Sequence, residues 1–351
     1  MLKSMAHFFR KVSFMVKRIL LSVTDPHENN AGPKARTDIE KFSKNDGYDI
    51  WRIPFDYESK IKKLKYRYWD IPRLFKGKSI DEIYFQYPVY SNVLMDAMIK
   101  AIRETTTAKL VFIVHDIESL RMFRDKAYAK KEAEWLNAAD GLIVHSEAMQ
   151  SYLQSHQVTT PMVILGVFDY LNPQPLQADQ PYQRSLCFAG NLMKSGFLSQ
   201  INFQGQLKLQ VYGPNPLPSF SEDVNYEGIY SPEELPKHLT ANFGLVWDGN
   251  RIDTCDGDYG EYMQYNCPHK VSLYLSTGLP IVVWKKAAVA RYIVNNGLGI
   301  AVDSLADLPS QLAQLSATDY KEMHARVKRV AQGLRTGQQI KTAIKKINKL
   351  I

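Results

Sequence analysis

From residue 18 onward, short apolar runs alternate with longer amphipathic stretches, the pattern of β-α-β units. Runs at 18–23, 48–53, 82–86, 110–115, 141–145 and 162–165 predict strands, and 34–44, 91–105 and 127–137 are long enough for crossover helices. The runs are apolar without strict alternation, which suits strands buried on both faces of a parallel sheet. Residues 169–183, with Pro173, Pro175 and Pro181, break the rhythm and read as a semi-rigid linker. The alternation restarts at 185–189, 208–212, 243–247, 280–284 and 299–302, and 317–351 predicts two or three closing helices.

The chain has 351 residues, enough for two domains. The expected division is an extension at 1–16, a first Rossmann-like domain at 17–169, a linker at 170–184 and a second Rossmann-like domain at 185–335. A terminal helix at 336–351 is expected to return toward the first domain. This α/β architecture places a ligand in the cleft between two facing sheets, at the carboxyl ends of their strands. No apolar run approaches the ~18 residues of a membrane span, which excludes an integral membrane protein. Phe8, Phe9, Phe14 and Met15 lie among Lys3, Arg10 and Lys11, so the extension makes at most a peripheral membrane contact.

Charge and cysteine narrow the choice further. The net charge of +8 is gathered largely at the two ends, without a basic stripe or a nucleic-acid-binding motif, so nucleic acid is not an expected partner. Three scattered cysteines, Cys187, Cys255 and Cys267, form no disulfide framework and point to a reducing, cytoplasmic compartment.

The strongest local motif runs from Tyr265 to Val283. Pro268 suits a helix's first turn and Gly278 its C-terminal cap, so a helix is expected over 268–277. Its N-terminus presents free amides and Lys270 adds a full charge, which together suit a diphosphate; an ordinary packed helix with a surface lysine is the bland alternative. His115 closes the fourth predicted strand and is the candidate base, ahead of His145, whose Ser146-Glu147 neighbours look like a helix cap. Asn30 and Gly32 lie in the loop after the first strand, where glycine permits a ligand's close approach. Asp256-Gly257-Asp258 formally matches a metal-binding D-x-D, but its position inside an acidic loop favours a solvated turn, and no metal site is expected.

The Asn266 to Val283 segment, N-x-x-x-K followed by T-G-L-P-I-V-V, resembles the donor helix of GT-B glycosyltransferases. Phe188-Ala189-Gly190-Asn191 through Lys194-Ser195, and Leu209 to Gly213, resemble the first two strand ends of that fold's nucleotide domain. Val111 to Arg121 and Ala139 to Ser146 are similar to a narrower family. It comprises the cytoplasmic transferases that extend O-linked GlcNAc on serine-rich-repeat adhesins, with related galactofuranosyltransferases. The resemblance implies a UDP-sugar donor, transfer of glucose or GlcNAc, and a GlcNAc-bearing serine-rich acceptor protein. It also implies a homo-oligomer that needs no metal or other cofactor. Lys194 and Lys270 would bind the diphosphate with Asn266 in support. Gly190, Asn191 and Asp248 would complete the donor site, and Tyr212 and Gly213 would lie against the base. Asn30 and Gly32 would face the sugar and acceptor. Glu261, nine residues ahead of Lys270, departs from the pattern of a ribose-binding glutamate. The alternatives are galactofuranosyl or other transfer in surface polysaccharide synthesis, a sugar-nucleotide epimerase, and a non-catalytic partner subunit, whose mark would be loss of the phosphate lysines.

Overall fold

The computed structural model describes residues 16–24, 32–54 and 59–351. Asn30 and the extension at 1–15 lie outside them. The first sheet contains β1 (Arg18–Thr24), β2 (Asp49–Pro54), β3 (Glu82–Tyr87), β4 (Lys109–Val114), β5 (Gly141–Val144) and β6 (Met162–Ile164). Every pairing is parallel, in the order β2-β1-β3-β4-β5-β6. The second contains β7 (Leu186–Ala189), β8 (Leu209–Tyr212), β9 (Val224–Gly228), β10 (Phe243–Val246), β11 (Ile281–Trp284) and β12 (Gly299–Val302). It is again parallel, in the order β12-β11-β10-β7-β8-β9. These are two Rossmann-like units, as the apolar rhythm predicts, in the GT-B arrangement that the resemblance implies.

Strand β9 escapes a reading by hydrophobicity. Its sequence, Val-Asn-Tyr-Glu-Gly, buries only Val224, because a strand at the sheet's edge needs its backbone pairing more than an apolar face. The central strands are the opposite case: β4, β5, β7, β10 and β11 are buried nearly throughout.

The connection between the sheets is packed where it begins, while its prolines, Pro173, Pro175 and Pro181, are exposed. Val167, Phe168, Asp169, Tyr170 and Asn172 are all buried. Asp38 accepts a hydrogen bond from Leu171 N at 2.9 Å and pairs with Lys34, and Arg335 donates to Gln174 O and Ser276 O. Prolines stiffen this segment, but its aromatic residues seat it. Asp169 also caps the last helix, Gln338–Ile347, by accepting from Gln339 N at 3.0 Å and Ile340 N at 2.7 Å. That helix leaves the second domain and lays Ile340, Ala343, Ile344 and Ile347 against Leu20, Ile113, Ile143 and Val163 of the first sheet. Each buried isoleucine is worth roughly 2 kcal/mol, so the chain's end ties the two domains together.

Candidate active site

The second domain's half of the cleft is built where β7, β8 and β10 end and the helix His269–Thr277 begins. Pro268 caps this helix from just outside rather than occupying its first turn, and Gly278, in the left-handed region at φ 103°, closes it. Lys270, in the first turn, is half-buried. Its ammonium lies 2.9 Å from both Asp248 carboxylate oxygens and 2.9 Å from Trp247 O, 4.6 Å above the Phe188 ring. Those acceptors occupy its donors, so an incoming diphosphate competes with Asp248 for the charge. Asp248, expected to touch the donor, is thereby the lysine's counter-ion.

The first two strand ends meet at glycines. Gly213 has φ 143°, and a Cβ there would fall on Gly190 O, so only glycine lets the β7 and β8 loops touch. Asn191 serves the turn that carries Lys194: its side-chain Oδ1 accepts from Met193 N at 3.2 Å and Asn215 Nδ2 at 3.1 Å. Lys194 is exposed at the rim, with its ammonium 3.9 Å above the Tyr259 ring. Tyr212 is buried, its hydroxyl donating to His238 O at 2.9 Å. Asn266 Oδ1 is buried without a partner among the described residues.

Facing it, neutral imidazoles from both domains gather around Phe168. His115, following β4, stacks on that ring at 5.5 Å; His145, following β5, meets it edge-on at 4.8 Å; His269, opening the donor helix, lies 6.1 Å away. Hydrogen bonds assign their roles. Gln86 donates through Nε2 to Ser22 Oγ and Arg36 O, which fixes its Oε1 as the acceptor for His115 Nε2–H at 2.9 Å. The lone pair on His115 Nδ1 is left without a partner among the described residues. His145 is fully engaged, with Nδ1 accepting from Cys267 N at 3.2 Å and Nε2 donating to Val114 O at 2.9 Å. Burial, followed by the charge of Arg36, holds the His115 pKa well below the usual range, and burial lowers His145 to about 4 and His269 to about 3. Of the two strand-end histidines, only His115 has a nitrogen free to take a proton. Phe168 and Gln86 went unnoticed in the sequence, although a lone amide within the apolar Ile83–Tyr87 run is a legible signal.

The acidic loop is spent on structure. Asp256 Oδ1 accepts from Asn250 N and Arg251 N, and Asp253 pairs with Arg251. Asp258 and Glu261 sit on a short helix, Gly257–Tyr262, and both reach Arg124 of the first domain, at 3.4 and 2.7 Å. Among the described residues, no three His, Cys, Asp or Glu side chains converge as metal ligands. The segment beyond is sewn to the first domain: Tyr262 OH accepts from Ile117 N, and Ser146 Oγ donates to Tyr265 O. An interdomain cavity of about 560 Å³ opens beside it, lined by His145, Ser146 and Gly166 on one side and Asn266, Lys286 and Arg291 on the other. Gly32, expected on the acceptor side, opens the helix Gly32–Asn45.

Residues 17–167 match the glucosyltransferase 3-like N-terminal domain, and residues 186–347 match the glucosyltransferase 3-like C-terminal domain. The chain belongs to the glucosyltransferase 3-like family. It is 30% identical over 251 residues to the beta-1,6-galactofuranosyltransferase WbbI of Escherichia coli strain K12, covering 68% of this chain and 71% of that protein. It is 28% identical over 260 residues to glucosyltransferase 3 of Streptococcus gordonii, covering 73% and 76%. Among solved structures, sucrose-phosphate synthase from Thermosynechococcus elongatus superposes with a TM-score of 0.62 at 12% identity, over 95% of this chain and all of that one. WaaG, a glycosyltransferase of lipopolysaccharide biosynthesis, does so at 0.56 and 13%, over 93% and 98%. At such identities the structural likeness speaks for the GT-B fold alone. With the sequence relatives, this glucosyltransferase 3-like chain is a nucleotide-sugar-dependent glycosyltransferase.

Proposed function

We propose that this enzyme transfers a hexose, glucose or GlcNAc, from a UDP-sugar to a GlcNAc-bearing serine-rich acceptor protein, working in the cytoplasm as a homo-oligomer. Its buried, unbridged cysteines suit that compartment. The observation that carries the reading is Lys270 in the first turn of a helix aimed at the cleft, with Lys194 on the turn that follows β7 of the same domain. Two cations and a helix N-terminus offset the charge that develops on a departing diphosphate, which supports a reaction without a metal. His115 Nδ1 is the group that takes the acceptor hydroxyl's proton, its tautomer held by Gln86.

The test is a screen of UDP-hexoses against a GlcNAc-bearing peptide, with and without EDTA. Transfer from UDP-glucose or UDP-GlcNAc that persists in chelator is the expected result. Activity abolished by EDTA and restored by manganese would return Asp256 and Asp258 to consideration as ligands. A second reading, galactofuranose transfer to a surface-polysaccharide acceptor, is favoured by the 30% identity to WbbI. Product formed only from UDP-galactofuranose would select it. Hydrolysis or epimerisation without acceptor would remove both readings, and binding without turnover would leave a non-catalytic partner.

A further inference from the structure

We infer that residues 60–75 form a docking face for an anionic lipid bilayer. The segment is an uninterrupted helical stretch: an α-helix at Lys60–Lys65, a π-turn at Tyr66–Asp70 and a second α-helix at Ile71–Phe75. Its C-terminal part anchors it, since Ile71 and Phe75 are buried in the first domain's core. The rest turns large apolar groups outward: Ile61 is 82% exposed, Leu64 54%, Tyr68 58% and Trp69 56%. Residues 61, 64 and 68 recur at helical spacing and share one side.

The charge around this apolar stripe selects its partner. Eight lysines and arginines lie between 60 and 78 against a single acid, Asp70, which Lys65 approaches at 3.8 Å. Aliphatic groups with tryptophan and tyrosine, ringed by cations on long apolar stems, match a headgroup boundary, where each part has a medium that suits it. A nucleic acid or an acidic protein would use the cations and leave the exposed isoleucine and leucine without a purpose. A second copy would bring the same cations onto this face, so self-association here would gain no charge complementarity. The segment begins six residues after Pro54, which ends β2 at the cleft-facing edge of the parallel sheet. Docking would therefore set the first domain's side of the cleft beside the bilayer.

The full-length protein should co-sediment with vesicles containing phosphatidylglycerol, bind far less to phosphatidylcholine alone, and release in high salt. Leu64→Ser with Trp69→Ser should lower the partition coefficient at least about tenfold. Lys65→Gln with Lys76→Gln, both at exposed positions, should lower it by roughly thirtyfold, at about 1 kcal/mol per cation. Unchanged thermal unfolding of the lysine pair shows that the fold is intact, so that pair decides even if the apolar pair is destabilised. Equal binding to both vesicle types, no binding, or variants that bind as the parent does would overturn the inference. Loss of a self-association, read by light scattering, with vesicle binding unchanged would overturn it too and assign the face to a second copy.

Discussion

The two walls of the cleft recognise charge in opposite ways. The second domain presents cations, Lys270 paired with Asp248 and Lys194 over an aromatic ring, on loops that glycines bring into contact. Across the cleft three imidazoles gather around Phe168, His115 and His145 from the first domain and His269 from the donor helix, and stay neutral. On the function proposed above, the donor wall serves an anion that is present throughout the reaction, whereas the acceptor wall serves a proton that moves once. A charged lysine is useful with or without substrate, while a base is useful only uncharged, so burial is a liability on one wall and the working principle on the other.

The contrast breaks most sharply at Lys270. Lys270→Ala should cost about 2–4 kcal/mol of transition-state stabilisation, up to a thousandfold in kcat/KM, and should weaken nucleoside diphosphate binding in calorimetric titration. Near-normal turnover in a folded variant would remove the diphosphate assignment. His115→Gln should act on the other wall, lowering kcat about a hundredfold while leaving nucleotide affinity near that of the parent. A parallel loss of affinity would mean that the two walls do not divide the work as argued.

A smaller effect separates geometry from charge on the donor wall. Gly213→Ala places a methyl on Gly190 O at a φ that side chains avoid. The variant should unfold at lower denaturant, losing about 1–3 kcal/mol, with the loops that carry Lys194 displaced. Unchanged stability and nucleotide affinity would show that the glycine contact is incidental.

These walls were not equally legible in the sequence. The donor wall is written locally, because Pro268, Lys270 and Gly278 fall within one helix and Gly190 to Lys194 within one turn. The acceptor wall is assembled by tertiary contact. His115 could be placed at a strand end, but its partner Gln86 comes from the neighbouring strand and Phe168 from the loop after the sixth strand, just ahead of the proline-bearing connection. What separates His115 from His145 is which ring nitrogen is already bonded, a fact that no spacing encodes. Strand β9 and the exposed stripe from Ile61 to Trp69 escaped for a related reason: hydrophobic periodicity reports burial, and neither is largely buried.

The last test concerns an effect expected to be absent at neutral pH. An ordinary histidine base gains its lone pair as the pH rises through about 6.5, giving an acidic limb to the rate profile. The folded-state pKa of His115 is held well below that by burial, then by Arg36 and the neighbouring imidazoles. The ring is therefore already neutral at pH 6, and its carbon-bound proton resonances should not shift between pH 6 and 8. The cost surfaces in stability. Below about 6.5 the unfolded chain binds a proton at His115 that the folded chain refuses, so stability falls as the pH falls until the depressed pKa is reached. Relative to His115→Gln, the parent should lose about 1.4 kcal/mol per pH unit across that window and nothing above it. An imidazole titrating near 6.5, or a stability difference independent of pH between 6 and 5, would mean that His115 is open to water and that the acceptor wall is not the neutral site described.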